Sequence, residues 1–370
     1  MKKILVTGGC GFIGSHLVDK LVELGFEVKV YDFLEPQVHC NGRPSYLNKH
    51  AQYLFKDIRD QNSLSKALKD REIVFHLASQ VGVGQSMYEV SKYVSHNEYG
   101  TAVLLDRIVN TKNKVKKILV ASSMSIYGEG AYRCSKCGVV YPGLRSVDKI
   151  KKKDWQVYCD SCRKKLIPIP TPEIKPLNPV SVYSINKRSQ EELCLSIGRA
   201  YKIPTVALRY FNAFGPRQSL SNPYTGVGAI FLSRVKNDNP PCIYEDGFQA
   251  RDFIYISDLV EANILAMKKP QADYKIFNVG RGEPITILKI AQTIIKLLNK
   301  KIKPKVLNKF RNGDIRCCYA DITKIKKYLG FSPKVSFEQG MKKLINWSYD
   351  QKSLDLYEKA KNELSKRGLI

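Results

Sequence analysis

The first twenty-five residues confine this chain to a small set of folds. Lys2 to Thr7 (KKILVT) is a basic-then-apolar run of the kind buried in a parallel sheet. It passes directly into Gly8-Gly9-Cys10-Gly11-Phe12-Ile13-Gly14, followed by a helical pattern from Ser15 to Leu24 that Gly25 ends. Glycines at 8, 11 and 14 permit a tight turn, close approach of backbone to a diphosphate, and close packing of helix on strand. The diphosphate would sit at the helix N-terminus, where Phe12 and Ile13 supply amides. A second strand pattern, Glu27 to Tyr31, ends in Asp32, whose carboxylate can accept both hydroxyls of a ribose and would repel a 2′-phosphate. The spacing therefore predicts a Rossmann-type, doubly wound α/β sheet that binds NAD.

Further strand ends carry candidate cofactor contacts. Gln52 to Phe55 precedes Asp57-Ile58-Arg59-Asp60, and Ile73 to His76 runs into Leu77-Ala78-Ser79. In a doubly wound sheet these ends lie where an adenosine rests, which marks Asp57, Ile58, Leu77 and Ala78. Asp57 and Asp60 also suit helix capping, and His76 reads as a satisfied core imidazole. A helical pattern from Tyr93 to Asn110 carries Asn97, and an apolar strand from Lys117 to Ala121 delivers Ser122 and Ser123.

The stretch from Ser122 to Lys187 carries the chemistry. Tyr183 and Lys187 share a helix face, so the Lys187 ammonium is expected to hold the Tyr183 phenol near ionisation. Ser123 would hydrogen-bond the oxygen from which Tyr183 takes a proton. Between these parts lie Cys134/Cys137 and Cys159/Cys162, two Cys-x-x-Cys knuckles that read as a structural zinc site. A disulfide framework is the competing reading, disfavoured in a chain that shows no export signal. Cys10, Cys40, Cys194, Cys242, Cys317 and Cys318 have no ligand spacing and are expected to be small buried hydrophobes. Prolines 168, 170, 172, 176 and 179 then lead the chain back to the Tyr183 helix.

Composition narrows the partners. A chain of 370 residues with 44% hydrophobic content can build two lobes around a substantial core. The charge is +27, but lysines are scattered and aromatics are not interleaved with them, which argues against a nucleic-acid footprint. A phosphorylated substrate fits that charge. No segment is apolar enough to cross a bilayer and the start lacks a leader pattern, so a soluble, cytoplasmic protein is expected.

The ordered motifs resemble those of the extended short-chain dehydrogenase/reductase family, specifically its nucleotide-sugar epimerases and dehydratases. They are TGGCGFIG (7–14), Asp32, DIRD (57–60), HLAS (76–79), YSINK (183–187), RYFNAFGPR (209–217), ARDFIYISD (250–258), FNVGRG (277–282) and RNGD (311–314). VGVGQSMYEV (81–90), SMSIYGEGAYRC (123–134) and LSNPYTGVGAIF (220–231) are similar to the dTDP-L-rhamnose 4-epimerase branch. The resemblance implies catalytic Ser123, Tyr183 and Lys187. Ser122 and Tyr210 would join the NAD site, Lys187 would also bind the nicotinamide ribose, and Asn97 would support that lysine. It implies substrate contacts at Gly82, Asn212, Arg251, Arg311 and Asp314, with the arginines clamping a diphosphate; Arg217 and Arg316 are expected in ion pairs. Dehydratases of the family place an Asp-Glu pair after the catalytic Ser or Thr, where this chain has Met124-Ser125; its 3,5-epimerising reductases use a Cys and a His near the site, and no Cys follows Ser123 here.

The implied reaction is NAD-dependent 4-epimerisation of a dTDP- or UDP-linked hexose, of the dTDP-L-rhamnose type, through a transient 4-keto sugar. A UDP-glucose/UDP-galactose 4-epimerase, or another dehydratase or reductase of the family, is the alternative. A nucleic-acid-binding module that kept the fold would not require Tyr183 and Lys187 at helical spacing. The expected layout is an NAD domain over 1–211 with 252–272 returning to it, and a zinc-ribbon-like insertion over 130–172. A sugar-nucleotide lobe covers 212–251 and 273–350, with amphipathic helices from Ile290 to Leu298 and from Ile322 to Leu329. A terminal helix or tail takes 351–370, and the family implies a homodimer.

Overall fold

The computed structural model describes residues 2–40, 42–311 and 313–369. Seven parallel strands form one sheet: β1 Lys3–Thr7, β2 Glu27–Asp32, β3 Gln52–Phe55, β4 Ile73–His76, β5 Lys117–Ser123, β6 Thr205–Tyr210 and β7 Ile276–Val279. Their spatial order is β3-β2-β1-β4-β5-β6-β7. Ile4, Leu5, Val6, Val74, Phe75, Ile118, Val206, Ala207 and Leu208 are almost wholly buried, because helices cover both faces. Each fully buried aliphatic or aromatic side chain contributes roughly 1.5–3 kcal/mol. The order reverses between β1 and β4, which opens a crevice at the carboxyl ends of the strands. Thr7, Asp32, His76, Ser123 and Tyr210 all end strands at that edge, and Ser123 lies opposite Tyr210 in register.

The expected domain division needs correction at more than one boundary: residues 252–255, assigned to the NAD domain, lie in the strand Ala250–Tyr255, which pairs with strands of the smaller lobe. β7 falls in the 273–350 range assigned to the sugar-nucleotide lobe, yet it pairs with β6 and completes the large sheet. Phe277 and Val279 are fully buried, so hydrophobic burial draws this strand to the sheet edge. The smaller lobe is built on the strands Asn212–Phe214, Ala250–Tyr255, Pro284–Thr286 and Cys317–Cys318. Helices Val227–Lys236, Ile287–Leu297 and Phe337–Ser348 belong to it, the last started by a Ser336/Gln339 capping box; the Thr323–Leu329 helix, expected there, packs instead against β7 and the Ile256–Lys268 helix.

The insertion is a three-stranded antiparallel sheet of Gly138–Val140, Ala131–Cys134 and Ile167–Ile169. Its core of Tyr132, Val157 and Leu166 is continuous with Ala250 and Cys317 of the smaller lobe. At the terminus, Tyr357–Lys366 is helical, buries Ala360 and Leu364, and accepts hydrogen bonds from Tyr88 and Tyr224 at Glu363.

The predicted Tyr93–Asn110 helix starts earlier, at Val90, and widens into a π-helical turn over Ser95–Tyr99. Asn97 lies in that turn, whose looser winding lets its side chain reach a neighbouring loop. The cysteine expectation holds for Cys10, Cys194, Cys317 and Cys318, whereas Cys40 is exposed and Cys242 half-buried in loop and edge positions. Among the described residues no helix is long and apolar enough to cross a membrane.

Candidate active site

The glycine loop has the geometry its spacing predicted. Gly8 sits at φ +70°, and a Cβ there would lie 2.7 Å from the Ala78 amide nitrogen. A Cβ on Gly14 would lie 2.2 Å from the Gly8 carbonyl, so only glycine lets the helix start this close to the strand. The Phe12–Glu23 helix begins at Gly11 without a side-chain cap, leaving its first-turn amides for an anion. Asp32 closes the loop by accepting from the Cys10 and Leu34 amides, both at 2.9 Å. Leu77 and Ala78 are held by the Thr7 carbonyl and hydroxyl.

Other cofactor candidates are less free. Asp57 is gripped by the Arg59 fork at 2.6 and 2.9 Å, which outweighs burial and leaves its pKa below the usual carboxylate value. Ile58 buries its side chain against Gly100. Tyr210 is buried with its hydroxyl committed to Asn263 Oδ1 at 2.7 Å, so its ring serves the core. Ser122 is different: its Oγ is buried and has no hydrogen-bond partner among the described residues. An orphaned hydroxyl beside the glycine loop's strand edge fits a dinucleotide binding there. His76 is the expected core imidazole, bonded to Thr7 Oγ1 and Thr101 Oγ1 at 2.8 Å each, with burial lowering its pKa to about 3.

Ser123, Tyr183 and Lys187 come from β5 and the Val182–Ala200 helix, which pack against each other. A Ser181/Ser184 capping box starts the helix, and Ser86 Oγ accepts the Tyr183 amide at 3.0 Å. Ser123 Oγ accepts from both the amide and the hydroxyl of Ser125, at 3.1 and 2.9 Å. Burial raises the Tyr183 pKa, and a hydrogen bond with the Ser123 hydroxyl works against that rise.

The expected effect of Lys187 on the phenol is corrected here. Lys187 Nζ donates to Gln190 Oε1 at 2.8 Å, and burial lowers its pKa to about 8. The phenol is thus held above its ordinary pKa, with Ser123 as its hydrogen-bonding neighbour and the ammonium turned along the helix. Asn97 is also reassigned. It clamps the backbone of Gln80 through Oδ1 at 2.6 Å and Nδ2 at 3.1 Å, and reaches Asn186 at 3.5 Å. Gln190 instead supports the lysine, anchored by Thr101 Oγ1 at 2.9 Å. A glutamine three residues after Lys187, on the same helix face, was the available signal for it.

The substrate candidates cluster in two places. Gly82, at φ +137°, lies in the loop after β4 against Tyr93 and Tyr224, four residues before Ser86. On the smaller lobe, Asn212 Nδ2 donates to the Asp252 carbonyl at 2.9 Å. The Arg251 guanidinium donates to the carbonyls of Ala250, Ile315 and Arg316. Arg311 forks onto Asp314 at 2.8 and 3.2 Å and keeps 45% of its side chain exposed. Arg217 pairs with Asp19 at 2.7 Å as expected. Arg316 is also ion-paired, with Glu245 and Asp246, but in a buried position.

All four knuckle cysteines converge, with their Sγ atoms within 4.8 Å of one another. The amides of Lys136 and Cys137 point at Cys134 Sγ and hold that thiol down to about 6. Four such sulfurs suit a soft, tetrahedral divalent ion and leave no open position for substrate.

A doubly wound sheet with an open glycine loop and with Ser123, Tyr183 and Lys187 at one strand edge defines a dinucleotide-dependent enzyme of the short-chain dehydrogenase/reductase type. Residues 156–280 match the NAD dependent epimerase/dehydratase family, and residues 5–136 match GDP-mannose 4,6 dehydratase. The chain is 36% identical to a dTDP-L-rhamnose 4-epimerase of Burkholderia thailandensis over 94% of each chain. Its structure superimposes with TM-score 0.77 and 32% identity on UDP-glucose 4-epimerase of Thermotoga maritima in complex with UDP-glucose, covering 94% of this chain and 98% of that one. UDP-glucuronic acid 4-epimerase of Bacillus cereus, in complex with its UDP-sugar and NAD, gives 0.73 at 29% identity over 93% and 98%. The chain belongs to the NAD-dependent epimerase/dehydratase family, as one of its nucleotide-sugar 4-epimerases.

Proposed function

We propose that this enzyme inverts C4 of a dTDP-linked 6-deoxyhexose, interconverting dTDP-L-rhamnose and dTDP-6-deoxy-L-talose. The observation that carries the substrate is the 36% identity to the Burkholderia thailandensis enzyme along 94% of both chains. The reaction type has independent support: Met124 is buried and Ser125 is bonded to Ser123, so neither offers the acid or base that dehydration needs. When bound, NAD supplies hydride acceptance and return at the sugar carbon. Tyr183 Oη takes the C4 hydroxyl proton and later returns it to the same oxygen. Ser123 Oγ hydrogen-bonds that oxygen as alcohol and as ketone. Lys187 binds the nicotinamide ribose through its ammonium. Gly8, Gly11, Gly14 and the amides of Phe12 and Ile13 hold the dinucleotide diphosphate, and Asp32 holds the adenosine ribose. Asn212, Arg251 and Arg311 hold the sugar-nucleotide diphosphate, and Asp314 its ribose.

The same proposal includes a structural zinc on Cys134, Cys137, Cys159 and Cys162, a cytoplasmic location, and a homodimer, the last carried by family resemblance. A UDP-hexose is the second reading, favoured by the likeness to the UDP-glucose complex. Incubation of the purified protein with dTDP-L-rhamnose, followed by NMR, is the test. Appearance of the talose epimer supports the first reading; no exchange there, with turnover of UDP-glucose or UDP-galactose, replaces it with the second.

A further inference from the structure

Arg145 belongs to the insertion and Glu245 to the smaller lobe, yet they form a fork-on-carboxylate pair at 2.8 and 2.7 Å. Their side chains are only 3% and 0% exposed. Arg145 also donates to the Asp314 carbonyl at 3.0 Å and to the Trp155 carbonyl at 3.3 Å. Glu245 is shared with Arg316 at 3.1 Å, and its backbone takes the left-handed conformation at φ 52°, rare for a residue with a side chain. That conformation lets its amide donate to the Lys309 carbonyl while its own carbonyl accepts from the Asn308 amide. The preceding residue, Tyr244, sets its ring 4.8 Å from the Arg311 guanidinium. A continuous chain of contacts therefore runs from the knuckle insertion through Arg145 and Glu245 to both ends of the 308–316 loop. An isolated buried ion pair is costly to desolvate, and holding one loop in one register is the best-attested use of such a pair.

We infer that Arg145 and Glu245 are positioning residues for the nucleotide half of the substrate, and that through them the folded four-cysteine insertion sets how tightly the 308–316 loop binds it. This rests on the reading that Arg311 and Asp314 contact the substrate. The test is calorimetric titration of dTDP and UDP into the full-length protein carrying Arg145→Gln, Arg145→Lys, Glu245→Gln or, as control, Arg311→Gln. Expected are a roughly tenfold loss of affinity with Arg145→Gln and Glu245→Gln and a smaller loss with Arg145→Lys. KM for the sugar nucleotide should rise in step, with kcat and NAD affinity unchanged. In a Trp347→Phe background, chelation should shift the emission of Trp155 and weaken dTDP binding together. If Arg311→Gln leaves nucleotide affinity intact, the substrate reading itself fails. If Arg311→Gln weakens binding while folded Arg145→Gln protein binds like the parent, the coupling is overturned; where Arg145→Gln does not fold, Arg145→Lys decides in the same way. A shift in Trp155 emission with unchanged dTDP affinity overturns it as well.

Discussion

Lys187 Nζ donates to Gln190 Oε1 at 2.8 Å along one helix, and burial brings the lysine pKa down to about 8. A base whose folded pKa is depressed is penalised while charged. The penalty is full below about pH 8 and fades as pH rises toward the ordinary lysine value near 10.5. Lys187→Met should therefore remove activity yet stabilise the fold at pH 7, by up to about 3 kcal/mol in urea titrations. Because the ammonium is the active form, kcat/KM should fall as pH rises through about 8. Gln190→Glu sets a carboxylate beside the ammonium and should move that limb upward. A limb that stays in place in this variant would show that Lys187 does not set it.

Tyr183→Phe keeps the ring and the backbone bond to Ser86, so NAD affinity should stay within a few-fold while kcat drops by about 10²–10⁴. Ser123→Ala should lower kcat by a smaller factor in the same assay. NMR detection of epimer exchange, paired with fluorescence titration of NAD, separates the two effects.

Gly14→Ala would place a methyl 2.2 Å from the Gly8 carbonyl, with no flexible side chain to give way. The helix start must shift, and NAD affinity should fall by more than tenfold. Gly143→Ala, at a position in the insertion with open space around it, should leave NAD affinity unchanged.

Cys134→Ser removes one of four sulfurs that lie within 4.8 Å of one another. Elemental analysis should find about one zinc per wild-type chain and much less in the variant. The variant should also melt at lower temperature, since the insertion shares its core with Ala250 and Cys317. Full activity and unchanged melting after complete zinc removal would refute a structural role.

Much of the site was legible because its parts are local. Gly8 to Gly14, Asp32, Ser123, the Tyr183–Lys187 spacing and the four knuckle cysteines are set by turn sterics and helix period over a few residues. Buried apolar strands were legible for the same reason, since a parallel sheet covered on both faces needs continuous hydrophobic runs. The tertiary structure alone decided what joins distant positions. It placed β7 in the large sheet rather than the smaller lobe, gave Lys187 to Gln190, and turned Asn97 toward Gln80. It also paired Arg145 with Glu245 across a hundred residues of chain. Hydrogen bonds and ion pairs of that kind depend on which surfaces pack together and exclude water, and spacing along a single sequence carries no record of that packing.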